Sequence, residues 1–180
     1  MSTVKTNAIL RPADDRVYFR KSGAIVQAVR SAYYTSEYNN TSQNSLYDLP
    51  GNLGDGTAGI TPYFSNSRIL FTAVLQIGCE TTWRANFFRT YYKIGSGSWT
   101  QFNGGFGSTL YCNRQGVART TKSTFMLGTL NTTSTVYFKI SQIGHQSGGN
   151  LHLNLNSTSN SGSGNQGSVL SSIYLQEVSQ

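Results

Sequence analysis

Acidic side chains are scarce: seven Asp and Glu stand against 14 Lys and Arg in 180 residues, a formal charge of +7. Histidine, cysteine and proline are scarcer still, at 2, 2 and 3. Each shortage closes off a class of function. His145 and His152 are the only imidazoles, and no H-E-x-x-H, G-x-S-x-G or phosphate-loop pattern occurs. The few carboxylates show no spacing that points to the paired acids glycoside hydrolysis needs. His152 falls on the polar face of a strand pattern and His145 beside Gly144 in an expected loop, so both read as surface histidines. Asp48 just before and Asp55 within the Gly-rich segment 50–56 have a spacing that matches no EF-hand, and a plain loop is expected there. Cys79 and Cys112 lack a C-x-x-C spacing and read as small, buried or half-buried residues. No run of about 18 apolar residues exists, so no membrane insertion is expected. This inventory predicts no enzyme, no cofactor and no metal site.

What is abundant is neutral polarity. Ser, Thr, Asn and Gln number 23, 20, 15 and 10, a surface suited to contacts with sugars, with other copies of the chain or with water. N-x-S/T triplets beginning at Asn39, Asn40, Asn131 and Asn156 arise by chance in such a composition. Hydrophobic residues make up 37%, enough for the core of one domain.

The charge is unevenly spread. Residues 1–30 hold six cations against Asp14 and Asp15, for +4, and the other 150 residues hold +3. Residues 1–22 show no sustained alternation and contain Pro12, so they read as an extended N-terminal arm ahead of a domain at 23–180. Lys5, Arg11, Arg16, Arg20 and Lys21 are its candidate anchoring groups. They suit an acidic surface on a larger particle or on a neighbouring copy.

From Gly23 onward, β-branched and aromatic residues cluster in short runs between turns, which predicts an all-β domain. Strands are expected at 25–34, at 69–77 with Ile69, Phe71, Ala73, Leu75 and Ile77 on one face, and at 84–94. Gly95-Ser96-Gly97-Ser98 then turns the chain back into 99–102, and Asn103-Gly104 makes another tight turn. Runs at 123–130 and 135–143 flank Asn131–Ser134 and suggest a second hairpin, with Val136, Phe138 and Ile140 inward. Leu151, Leu153 and Leu155 alternate with polar residues, 157–168 is a low-complexity loop, and 169–178 closes the sheet. About eight strands at this spacing predict a single antiparallel β-sandwich of jelly-roll type.

Nucleic-acid binding is the reading invited by the mixture of cations and aromatics from Trp83 to Lys93. Alternation puts Arg89 and Lys93 on one face and Arg84 on the other, so no continuous basic stripe forms and no nucleic-acid partner is expected. Phe87, Phe88, Tyr91 and Tyr92 are expected to pack between layers or against a neighbouring subunit.

Three stretches carry a resemblance. Ile25-Val26-Gln27, then Ile60-Thr61-Pro62 through Ser65-Asn66-Ser67 to Arg68-Ile69-Leu70, and the closing Ser171-Ser172-Ile173-Tyr174-Leu175-Gln176-Glu177-Val178 resemble β-sandwich virion proteins of tailed phages, of marine and cyanobacterial type. It runs from about Gly23 to the C-terminus. The resemblance implies a non-enzymatic structural protein of the virion surface, often a homotrimer, mounted on capsid or tail proteins by its N-terminal segment. A fibre- or spike-type module contacting a host-surface glycan is the first expectation. A capsid decoration protein and a lectin-like domain are the alternatives. Tyr33, Tyr34, Tyr38, Tyr47, Trp83, Trp99 and Tyr111 are the aromatics available for sugar stacking or a subunit interface.

Overall fold

Strict alternation of apolar and polar residues demands a sheet with one dry face, and two such sheets must cover each other. The computed structural model describes residues 8–10, 17–19, 22–34, 38–40, 46–79, 84–102, 110–112, 119–145, 151–154 and 170–180. In chain order the strands are β1 (Ala8–Leu10), β2 (Val17–Phe19), β3 (Ile25–Tyr34), β4 (Tyr38–Asn40), β5 (Leu46–Asp48), β6 (Ala58–Ile60) and β7 (Arg68–Cys79). There follow β8 (Arg84–Ile94), β9 (Thr100–Gln101), β10 (Leu110–Cys112), β11 (Arg119–Leu127), β12 (Val136–His145), β13 (Leu151–Leu153) and β14 (Ser171–Val178).

The first sheet runs β3-β14-β7-β11, with β4 and β13 continuing the lines of β3 and β14 at one end. In the second, β8 and β12 lie at the centre, β9 and β10 share one edge of β8, and β5 and β6 share the far edge of β12. Each sheet is therefore four strands wide. Counting those eight positions in chain order, the sheets read 1-8-3-6 and 2-7-4-5. Every connection but the fourth-to-fifth passes from one sheet to the other, and the domain is a jelly-roll β-sandwich.

The two inner faces are the rows expected from the alternation. Ile69, Phe71, Ala73, Leu75 and Ile77 of β7 are buried, as are Val136, Phe138 and Ile140 of β12. Phe71 stacks on Phe125 at 4.5 Å between ring centroids and lies 5.2 Å from Phe138 in the opposite sheet. Phe102 stacks on Phe125 at 4.0 Å, so phenylalanine rings fill the interior from both sides.

Asn131–Ser134 does not close a hairpin. β11 belongs to the first sheet and β12 to the second, and residues 128–135 cross between them. The crossing is fixed by Leu130 N–H donating to the Ser67 carbonyl (3.2 Å), Thr132 N–H to Ser65 (3.1 Å), and a left-handed Asn131 at φ 56°. β11 accordingly begins at Arg119 and ends at Leu127, earlier than the expected 123–130. Gly144 and His145 extend β12 rather than forming a loop, because they continue the ladder opposite Asn86 and Ala85. In the segment expected to be an extended arm, β1 and β2 pair antiparallel as a two-stranded sheet of their own.

Strand direction sorts the connections into two ends. One end carries the loop 61–67, the turn 95–99 and the crossing 128–135, and both the start of β3 and the close of β14 lie there. Gly23 N–H donates to Ser179 O and Ser179 N–H to Ala24 O, each at 2.9 Å. At the other end β4, β7, β10 and β12 lead into 41–45, 80–83, 113–118 and 146–150. Those stretches, with Asn103-Gly104, Leu155 and the loop 157–168, lie outside the described residues.

Candidate functional site

The outer face of the second sheet follows from parity and register. β8 sends Phe88, Thr90 and Tyr92 toward the core and Arg89, Tyr91 and Lys93 outward, while β12 sends Tyr137, Lys139 and Ser141 outward. Antiparallel pairing sets Lys93 opposite Tyr137, Tyr91 opposite Lys139 and Arg89 opposite Ser141. Trp99, returning from the turn after β8, completes the array. Lys93 Nζ lies 4.8 Å from the centroid of the Trp99 ring and 5.2 Å from that of Tyr137. Lys139 Nζ lies 5.2 Å from Trp99 and 5.6 Å from Tyr91. An ammonium so placed is held by the ring quadrupole, worth about 0.5–1 kcal/mol at exposed sites. Lys139 also pairs with Asp48 at 2.8 Å, and the Ser141 hydroxyl donates to the other oxygen of that carboxylate at 2.5 Å. Arg89 is exposed beside them, and neither it nor Lys93 meets a carboxylate among the described residues. The result is two lysines held over rings, with Arg89 exposed next to them.

Gly56 sets the seat of Trp99. Its φ is +80°, and a Cβ there would stand 2.5 Å from Trp99 Cζ2. Gly56→Ala is expected to cost about 1–3 kcal/mol through backbone strain and displacement of the ring. Emission of Trp99, followed in a Trp83→Phe background, should shift with it; an unchanged spectrum and melt would show that the indole does not rest on Gly56.

A second polar cluster holds the loop 61–67. The buried Glu177 carboxylate accepts from the Ser67 hydroxyl at 2.6 Å, from the backbone N–H groups of Tyr63 and Phe64 at 3.0 Å each, and from the Gln27 amide at 2.8 Å. Gln27 also donates to the Thr61 carbonyl at 2.7 Å. The three stretches that carry the resemblance thus meet at one carboxylate, whose work is to shape a loop. A depression of about 510 Å³ opens beside it, with Pro62, Tyr63 and Val29 among its walls.

The expected site residues divide between the two ends. Trp99 lies under the lysines, and Tyr47 is 39% exposed on β5 opposite the buried Gln142. Tyr33 and Tyr34 close β3, Tyr38 opens β4 and Tyr111 sits in β10, all toward the end opposite the start of β3. Trp83 and the arm cations Lys5, Arg11, Arg16, Arg20 and Lys21 lie outside the described residues. Asp48 and Asp55 are committed apart: Asp48 to Lys139 and Ser141, Asp55 to the N–H (2.8 Å) and hydroxyl (2.6 Å) of Thr57. Sequence reasoning missed Tyr137 and Lys139. Their outward parity was readable, but their register against Tyr91 and Lys93 was not.

No family model matches the chain, and no curated protein matches it in sequence. Among solved structures, a chain in the structure of infectious bursal disease virus, Gx strain, is similar at 10% identity and TM-score 0.42, over 96% of this chain and 40% of that one. A chain from the Gt strain is similar at 12% identity and TM-score 0.41, over 94% and 41%. This chain therefore spans about two fifths of the length of each.

Proposed function

We propose that the chain is a structural, non-catalytic module of a virus particle, mounted through its N-terminal segment and presenting the opposite end of the sandwich outward as a fibre- or spike-type part. The observation that carries this reading is the division between the ends. The N-terminal segment joins beside Ser179, whereas Tyr33, Tyr34, Tyr38 and Tyr111 lie toward the far end. A jelly roll is an architecture of viral capsid and lectin domains. Because aliphatic and phenylalanine side chains pack the described interior, this reading puts the module's work at its contact surfaces. The basic excess of residues 1–30 favours the second reading, a decoration protein held on the head by electrostatic contacts. Salt above about 0.5 M would strip that form, since the Debye length falls to a few ångströms.

Deletion of residues 1–22 tests the mounting. Because the pairing of Gly23 and Ala24 with Ser179 survives, the shortened chain should fold and melt like the full chain yet fail to enter particles. Normal incorporation would overturn the anchoring role. Light scattering of the full chain should give a trimer, and a strict monomer would shift the reading to the decoration or lectin form, the latter marked by saturable sugar binding.

A further inference from the structure

We infer that the outer face of the second sheet is a docking surface for an acidic protein surface of the particle that carries this chain, with Arg89 and Lys93 as the carboxylate-binding groups. This deepens the proposed mounting and rests on it. Among the described residues of this face Asp48 is engaged by Lys139 and Ser141, and Arg89 and Lys93 meet no carboxylate. Charge complementarity therefore calls for a negative partner. The location agrees: Lys93, Trp99 and Tyr137 lie at the end where Gly23 pairs with Ser179, the end by which the proposed mounting holds the module.

The side chains fit a protein partner best. Trp, Tyr and Arg are the residues enriched at protein interfaces and at their energetic centres. Nucleic acid would need open ring faces for its bases, whereas ammonium groups already sit over Trp99, Tyr91 and Tyr137. Holding the lysines in place before contact lowers the ordering cost of docking.

The test uses the full chain, the double variant Arg89→Gln/Lys93→Gln, the single variant Arg89→Gln, and Lys122→Gln as a control on the exposed outer side of β11. All change solvent-facing positions, and matching melts will confirm that they fold. Binding to immobilised poly-L-glutamate should weaken roughly tenfold in the double variant and about threefold in the single one, as expected for losing exposed ion contacts. Lys122→Gln should bind like the unmodified chain, and particles made with the double variant should carry few copies. Equal weakening by Lys122→Gln, or undiminished binding by the double variant, would overturn the docking face. So would tighter binding of polygalacturonate or oligo-deoxythymidylate than of poly-L-glutamate, which would give the face to a glycan or a nucleic acid. Failure of the underlying reading looks different: unmodified particles would then contain no copies of the chain. Copies present in those particles, with normal incorporation of the double variant, would sink this inference alone.

Discussion

Phe71→Asp is expected to leave the chain unfolded at room temperature. The ring is fully buried, stacked on Phe125 and close to Phe138 across the sandwich. Removing a buried phenylalanine costs about 3–5 kcal/mol by itself. Placing a carboxylate among apolar neighbours adds several kcal/mol more, because no donor there replaces its water. Domains hold only about 5–15 kcal/mol in total, so the sum consumes the stability. Near-ultraviolet circular dichroism and gel filtration would report it, with Phe71→Leu as a control expected to lose about 1–3 kcal/mol. A cooperative melt like that of the unmodified chain would mean that the inward row of β7 has been assigned to the wrong face.

Glu177→Ala carries the second largest effect. It takes the acceptor from the buried Ser67 hydroxyl and from the part-buried Gln27 amide and N–H groups of Tyr63 and Phe64. Each buried donor left without its acceptor costs about 1–3 kcal/mol, reduced where water enters, so a net loss of about 4 kcal/mol is expected. For a chain of this length that lowers the melting temperature by roughly 10 °C. Glu177→Gln keeps one carbonyl acceptor and should lose about half as much. Hydrogen exchange at Tyr63 and Phe64 should rise in both. A melt within about 2 °C of the unmodified chain would show that the carboxylate does not hold the loop.

The parts of this fold legible in the sequence are those set by local alternation. Ile69 to Ile77 and Val136 to Ile140 declare their buried faces because each strand is dry on one side, and β3 and β8 have the bounds their residues suggest. The crossing at 128–135 was not legible. Asn131–Ser134 has the composition of a hairpin turn, and what decides otherwise is bonding to Ser65 and Ser67, far away in the chain. The same holds for the cation face. Outward parity of Lys93 and Lys139 follows from each strand alone, but their shared seat on Trp99 requires the β8–β12 register and the return of the turn. Glu177 was visible as part of a resembling stretch, and its role appears only once three distant segments converge on it.

The pairing of β3 with β14 also fixes how the module answers to force. Eight residue pairs join them, from Ser171 opposite Tyr34 to Val178 opposite Ile25. A pull between the N-terminal segment and the far end runs along β3 and loads those pairs in shear, all at once. A pull between Gly23 and Ser179, which lie side by side, opens them one after another like a zip. A module held at its N-terminal segment and gripped at the opposite end is thus loaded in its mechanically strong direction, and the same domain tethered at Gly23 and Ser179 would give way at far lower tension.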